Sequence, residues 1–127
     1  MTDGLLQPKA LLVEDEALVA MIVEDLLEAI GFQPIHTDTA TAALAVLAEG
    51  GISLAVVDVG LPDMRGDDLA AKARDLAPDM PIILASGYDT AELKGRFAGD
   101  PRVTVLGKPY TEHDLREAIC ATGLPLA

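Results

Sequence analysis

The sequence predicts an α/β protein with a doubly wound parallel sheet in three layers, built from five strand–helix units. Three observations predict it. Short apolar runs recur about every 25 residues. Between them lie stretches whose apolar residues follow helical spacing. Glycine and proline punctuate the junctions. Strands that are apolar throughout, alternating with helices, need cover on both faces, which is the habit of a parallel sheet.

Ala10–Val13 is an apolar run that stops at Glu14, Asp15 and Glu16. A helix comes next, with Leu18, Met21, Ile22, Leu26 and Ile30 spaced for one buried face, and Gly31 marks its end. Gln33–His36 is a weak second strand. Asp38 or Thr39 caps a second helix with Ala40, Leu44, Leu47 and Ala48 on its apolar side, closed by Gly50-Gly51. Ile52–Val57 is the strongest strand and runs into Asp58. A turn-rich loop, Val59 to Arg65, leads to a helix that starts near Gly66–Asp68 and ends at Leu76, before Pro78. Pro81–Ala85 is a fourth strand, ending at Ser86-Gly87. Asp89 to Ala98 carries Gly95 and few apolar residues, so a short or mobile helix is expected. Val103–Leu106 is a fifth strand before Gly107, Lys108 and Pro109. Thr111 starts a last helix that buries Leu115 and Ile119; Thr111 to Asp114 resembles a capping box with Asp in the acidic place.

The 127 residues suffice for one domain with its own core. Aromatics are 3%, so Ala, Leu, Val and Ile must build that core. Nine basic against twenty-one acidic residues give a net charge of −12, which disfavours nucleic-acid backbones and anionic membranes as direct partners. Cys120 is the one cysteine and is expected to be a buried, inert thiol. Met1 to Lys9 lacks the apolar run of a signal peptide, and no apolar stretch is long enough to span a bilayer, so a cytoplasmic location is expected.

In an open parallel sheet, ligands bind beyond the carboxyl ends of the strands. There the first strand presents Glu14 and Asp15, the third Asp58, the fourth Ser86 and the fifth Lys108. Clustered carboxylates repel, and a divalent cation relieves them; an all-oxygen set suits Mg²⁺. Lys108 can neutralise a phosphoryl oxygen as a point charge, and Ser86 can donate to another. Asp58 is the natural nucleophile, since carboxylates form aspartyl-phosphates. Singly, each residue has an ordinary structural reading: an acidic first helical turn, a loop aspartate, a surface lysine, a Ser-Gly turn. The specificity lies in the constellation. His36 and His113 stand apart from it and are expected to be incidental.

From Lys9 to Ala121 the chain resembles the response-regulator receiver family of two-component systems, through LLVEDE at 11–16, VVDVGLPDMRGDDLA at 56–70, ILASGYD at 83–89 and GKPY at 107–110. The resemblance implies the strand order 2-1-3-4-5. It implies a phosphoacceptor at Asp58, Mg²⁺ (or Mn²⁺) on Glu14, Asp15, Asp58 and the backbone carbonyl of Gly60, a switch hydroxyl at Ser86 and a phosphate-binding Lys108 followed by a cis Pro109. Tyr88 falls where the family tunes the access of hydrolytic water. Many members carry an inward-rotating aromatic three residues before the lysine; here Val105 stands there, and Tyr88 and Tyr110 are the aromatics nearby. The Ser-Gly-Tyr run is similar to a subgroup that lacks that aromatic and is often single-domain.

The rim residues and the resemblance together imply one receiver domain over 1–127 (core about 9–121) with no output domain. It would take a phosphoryl group from a sensor histidine kinase or a histidine phosphotransfer protein. It would signal to a downstream protein through the face formed by its last two helices and fifth strand (the Asp89–Ala98 helix, Val103–Leu106 and the helix after Thr111), as a monomer or weak dimer, catalysing only its own phosphorylation and dephosphorylation. The alternatives are a pseudo-receiver that binds partners regardless of phosphate, and a receiver fragment of a hybrid kinase or larger regulator, although Met1 and the short tail to Ala127 favour a complete chain. A flavodoxin would want a hydroxyl-rich phosphate loop where Glu14-Asp15-Glu16 stand. An aspartate-nucleophile phosphatase would want a second Asp at Gly60 and its nucleophile after the first strand.

Overall fold

Alternation along the strands sorts the apolar side chains into two cores, one on each face of the sheet. In the computed structural model, which describes residues 7–126, Leu11, Val13, Ala55, Val57, Ile82 and Leu84 face one core. Ala10, Leu12, Leu54, Val56 and Ile83 face the other. Successive side chains on a strand point to opposite faces, so apolar runs without alternation must be covered twice. The strands are β1 (Lys9–Val13), β2 (Gln33–Thr37), β3 (Ile52–Asp58), β4 (Ile82–Ser86) and β5 (Val103–Gly107). They pair in parallel in the order β2-β1-β3-β4-β5, the order the resemblance implied.

The helices are α1 (Ala17–Ile30), α2 (Ala40–Glu49), α3 (Gly66–Leu76), α4 (Thr90–Arg96) and α5 (Glu112–Ala121). α2, α3 and α4 pack on the first core, α1 and α5 on the second. Both cores rest on small and branched aliphatic residues, as the scarcity of aromatics requires. The expected ends of the elements hold to within a few residues. α1 closes on Gly31 in the left-handed region at φ 119. The capping box at Thr111 and Asp114 is present, with both reciprocal bonds made. Thr39, not Asp38, caps α2 by accepting from the Ala42 amide.

Several expectations need correction. α1 buries Ala20, Val23, Leu27 and Ile30, while Leu18, Met21 and Ile22 lie exposed. The helix is apolar on most of its circumference, so two stripes compete; the one carrying small Ala20 sits on the sheet. α2 buries Ala43 and leaves Ala48 exposed, for the same reason. The helix expected to be short within Asp89–Ala98 is short: α4 runs from Thr90 to Arg96 and is anchored by buried Leu93. Cys120 is exposed, on the outer side of α5. Among the described residues, no helix is long and apolar enough to cross a membrane. The reading of Met1 to Lys9 falls largely outside the described residues, as does Ala127.

Candidate functional site

The order 2-1-3 reverses the direction of winding between β1 and β3, and a crevice opens at their carboxyl ends. The loop after β1 stays in register because the Glu14 amide donates to the Thr37 carbonyl at 3.0 Å. β3, the middle strand, delivers Asp58 opposite Ala85 of β4. The Lys108 amide donates to the Ser86 carbonyl at 2.8 Å, which brings the β5 end over the same crevice. The Lys108-Pro109 peptide is cis, as expected.

These elements bring together most of the residues singled out. Lys108 Nζ donates to Asp58 Oδ1 at 2.8 Å and to Glu14 Oε1 at 3.3 Å. Carboxylate oxygens of Glu14, Asp15 and Asp58 lie within 4.8 Å of one another. Glu14 is buried and Asp15 exposed, and the Asp58 side chain is 11% exposed. Asp58, Gly60, Ser86, Tyr88 and Lys108 line a cavity of about 410 Å³. Tyr88 is 80% exposed at its mouth.

The charges explain each other. Burial, the largest influence, raises the Glu14 carboxyl, and the charge of Asp58 adds to it, so the Glu14 pKa stands above its ordinary value despite the Glu16 amide and Lys108. For Lys108 burial works downward, but its hydrogen bond to Asp58 and the charges of Asp58 and Glu14 outweigh it and hold the ammonium firmly protonated. One ammonium cannot balance three carboxylates. The all-oxygen donor set that remains fits a hard divalent cation such as Mg²⁺, with Glu14, Asp15 and Asp58 to hold it.

Three residues sit otherwise than their expected roles suggest. The Ser86 hydroxyl stands on the cavity wall but bonds within its own turn, donating to the Tyr88 carbonyl and accepting from the Tyr88 amide at 3.2 Å. Asp89, next along, is the one non-glycine residue at positive φ (64°) among the described residues. Val105 is half-buried against the core on the α4 side, with no aromatic in its place. Tyr110 packs against the α1–α5 core, and burial, then the charges of Glu14 and Asp58, push its hydroxyl well above the usual range.

Several supports of the site carry no local signal in the sequence. His36 is not incidental: its Nε2 donates to the Glu14 carbonyl at 2.7 Å, across the β1–β2 pair. Asp63, in the loop after β3, accepts from the Ala40 and Thr41 amides at 2.9 and 3.0 Å and from the Thr41 hydroxyl at 2.8 Å, capping α2 from outside. Those bonds bring the Asp63 carboxyl down to about 2. Asp67 is buried between Arg65 (3.0 Å) and Arg96 (2.6 Å). Only the strand order makes such contacts foreseeable, since it sets the β3–α3 loop beside α2.

Comparison with known proteins gives a consistent result. The family model described as "Response regulator receiver domain" matches residues 10–120. The chain is 30% identical over 107 residues to the response regulator receiver protein CpdR of Brucella abortus, covering 84% of this chain and 89% of that protein. It is 30% identical over 111 residues to the sensor kinase CckA of the same organism, where the match covers 86% of this chain and 12% of the kinase. Several other curated relatives are also longer, and the chain spans between 12% and 63% of their length. Among solved structures, a CheY-like response regulator receiver domain protein from Methanospirillum hungatei superposes with a TM-score of 0.81 at 30% identity, covering 90% of this chain and 91% of that one.

Proposed function

Because the chain belongs to the response regulator receiver domain family, whose general function is to accept a phosphoryl group, we propose that it does so on Asp58, with Glu14, Asp15, Asp58 and the Gly60 carbonyl as the Mg²⁺ ligands. One observation carries this reading: Lys108 bridges Asp58 and Glu14 while three carboxylates converge within 4.8 Å at the switch point of the sheet.

Asp58 Oδ1 is held by Lys108. Its Oδ2 faces the side on which Gly60 offers no side chain, so Oδ2 is the oxygen that attacks. A bond forms from Oδ2 to phosphorus as the bond from phosphorus to the donor's nitrogen or oxygen breaks, and the leaving group takes up a proton. When bound, the divalent cation neutralises the carboxylates and one phosphoryl oxygen. Lys108 neutralises a second oxygen. Ser86 leaves the Tyr88 carbonyl to donate to a third, which frees the β4–α4 turn, so Ser86 and Tyr88 carry the switch without an aromatic at Val105.

The donor is a phosphohistidine of a sensor kinase or phosphotransfer protein, a partnership supported by the kinase among the relatives. Such a donor must sit around the crevice rim. The exposed apolar residues of α1, Leu18, Met21 and Ile22, provide a face there, beside a groove shared with Lys108, Pro109 and Tyr110. The output leaves through protein contacts of the α4-β5-α5 face. The acceptor is tested by incubating the protein with acetyl phosphate and Mg²⁺, reducing the acyl phosphate with borohydride and sequencing the peptides. Homoserine at position 58 is expected; homoserine elsewhere, or none in a labelled protein, overturns the assignment.

A further inference from the structure

Two cations line the cavity over Asp58, Lys108 and Arg65, and phosphoryl acceptance as described uses only the first. Lys108 is already engaged by Asp58 and Glu14. The surroundings repel an anion: three carboxylates face one ammonium, in a chain of net charge −12. A phosphoryl group approaching this rim needs further positive charge on the protein side.

Arg65 is built to supply it. Its side chain is 53% exposed. Its ion pair with Asp67 uses Nε alone, at 3.0 Å, out of the five N–H donors of a guanidinium. Asp67 does not depend on it, because Arg96 of α4 holds the other carboxylate oxygen at 2.6 Å. Arg65 can therefore leave without stranding a buried, unpaired carboxylate, the cost that normally pins such an arginine. Gly60 adds no side chain to the wall beside Asp58 Oδ2; even a methyl there would stand 3.6 Å from that oxygen.

We propose that Arg65 is a second cation for the phosphoryl group, turning from Asp67 to an outer oxygen of the group arriving at Asp58 and so setting affinity for the donor. This rests on the reading that Asp58 is the acceptor. Arg96 keeps Asp67 paired during the exchange and with it the contact between α3 and α4.

The test is calorimetric titration of the Mg²⁺-loaded protein with beryllofluoride, a phosphoryl mimic, in the wild type, Arg65→Gln and Asp67→Asn, with melting temperatures as the fold control. Arg65→Gln should bind beryllofluoride about tenfold more weakly, the low end for a charge-assisted hydrogen bond at a half-exposed site. It should also raise the acetyl phosphate concentration for half-maximal labelling by a similar factor. Asp67→Asn frees Arg65 from its resting partner and should bind more tightly, by about twofold or more, a gain that a purely structural role does not produce. Should Arg65→Gln lose the fold, Asp67→Asn decides alone. Wild-type affinity and labelling in Arg65→Gln, or no gain in Asp67→Asn, overturn the proposal while leaving the acceptor reading intact. A wild type that neither binds beryllofluoride nor labels overturns both.

Discussion

Gly66 opens α3 at the point where the chain doubles back under Asp58, and replacing it with alanine is a sharp test of how the proposed acceptor is held. The Gly66 amide donates to the Val59 carbonyl at 2.9 Å, which draws the helix start against the end of β3. A Cβ on residue 66 would stand 2.3 Å from the Asp58 carbonyl oxygen, 2.7 Å from Val59 Cα and 2.9 Å from the Asp58 carbonyl carbon. All three atoms are backbone, so no side chain can swing away. Bringing the nearest contact to 3.0 Å takes a shift of about 0.7 Å in the segment that carries Asp58, and displacement of reacting groups on the order of 1 Å costs roughly 100-fold in rate. Gly66→Ala should therefore label with acetyl phosphate roughly 10- to 100-fold more slowly. The overpacking should also cost about 1–3 kcal/mol of stability. Gly60→Ala is the contrast: its Cβ meets Asp58 Oδ2 at an ordinary 3.6 Å, so its unfolding free energy should change by no more than about 0.5 kcal/mol. Urea melts and quenched-flow labelling give both numbers. If Gly66→Ala melts and labels like the wild type, the close approach of α3 to β3 is not what positions Asp58, and the reasoning fails.

Other consequences can be checked alongside. On the proposed reading that Mg²⁺ binds the folded cluster, a concentration about ten times its dissociation constant should stabilise the fold by about 1.4 kcal/mol, roughly 4–8 °C in melting temperature. Asp15→Asn removes one of the converging charges, so it should abolish that shift without destabilising the metal-free protein. Asp63 has its carboxyl drawn down to about 2, so its contribution is present above the ordinary carboxylate range and is lost as pH falls from about 4 to about 2. Asp63→Asn should make the acid side of the stability curve shallower in that window, where the lowered Asp67 and Asp114 also act; Glu14, raised by burial, changes its contribution above the ordinary carboxylate value and so outside the window. Ile22→Glu, on the exposed face of α1, should slow phosphotransfer from a phosphohistidine protein at least tenfold relative to acetyl phosphate labelling; equal effects on the two donors would remove α1 from the docking surface.

Much of the fold and the rim is legible in the sequence, for reasons that can be named. β1, β3 and β4 announce themselves because a sheet covered on both faces must be apolar throughout, while β2, an edge strand only partly buried, reads weakly; the rim residues are evident because each strand run ends in a charge, a hydroxyl or a glycine. The buried face of α1 is ambiguous from spacing alone, because Leu18, Met21, Ile22 and Leu26 form as good a stripe as Ala20, Val23, Leu27 and Ile30; choosing between them takes the sheet's demand for a small residue at the contact. Cys120 looks buried because it comes directly after buried Ala118 and Ile119, yet one step further turns it outward. The supports of the site stay hidden because their partners lie far along the chain: His36 on Glu14, Asp63 on α2, Arg96 on Asp67. None of these pairs has a local signature, and only the strand order brings them within reach.

On the proposed function, Asp58 accepts a phosphoryl group in a reaction that needs a divalent cation. The most direct measurement is the intact mass of the protein after incubation with acetyl phosphate, with and without Mg²⁺, beside Asp58→Asn. The wild type with Mg²⁺ should gain one phosphoryl group, and none should be gained without the metal or in the mutant. No gain in the wild type under any condition, or the same gain in Asp58→Asn, would contradict it.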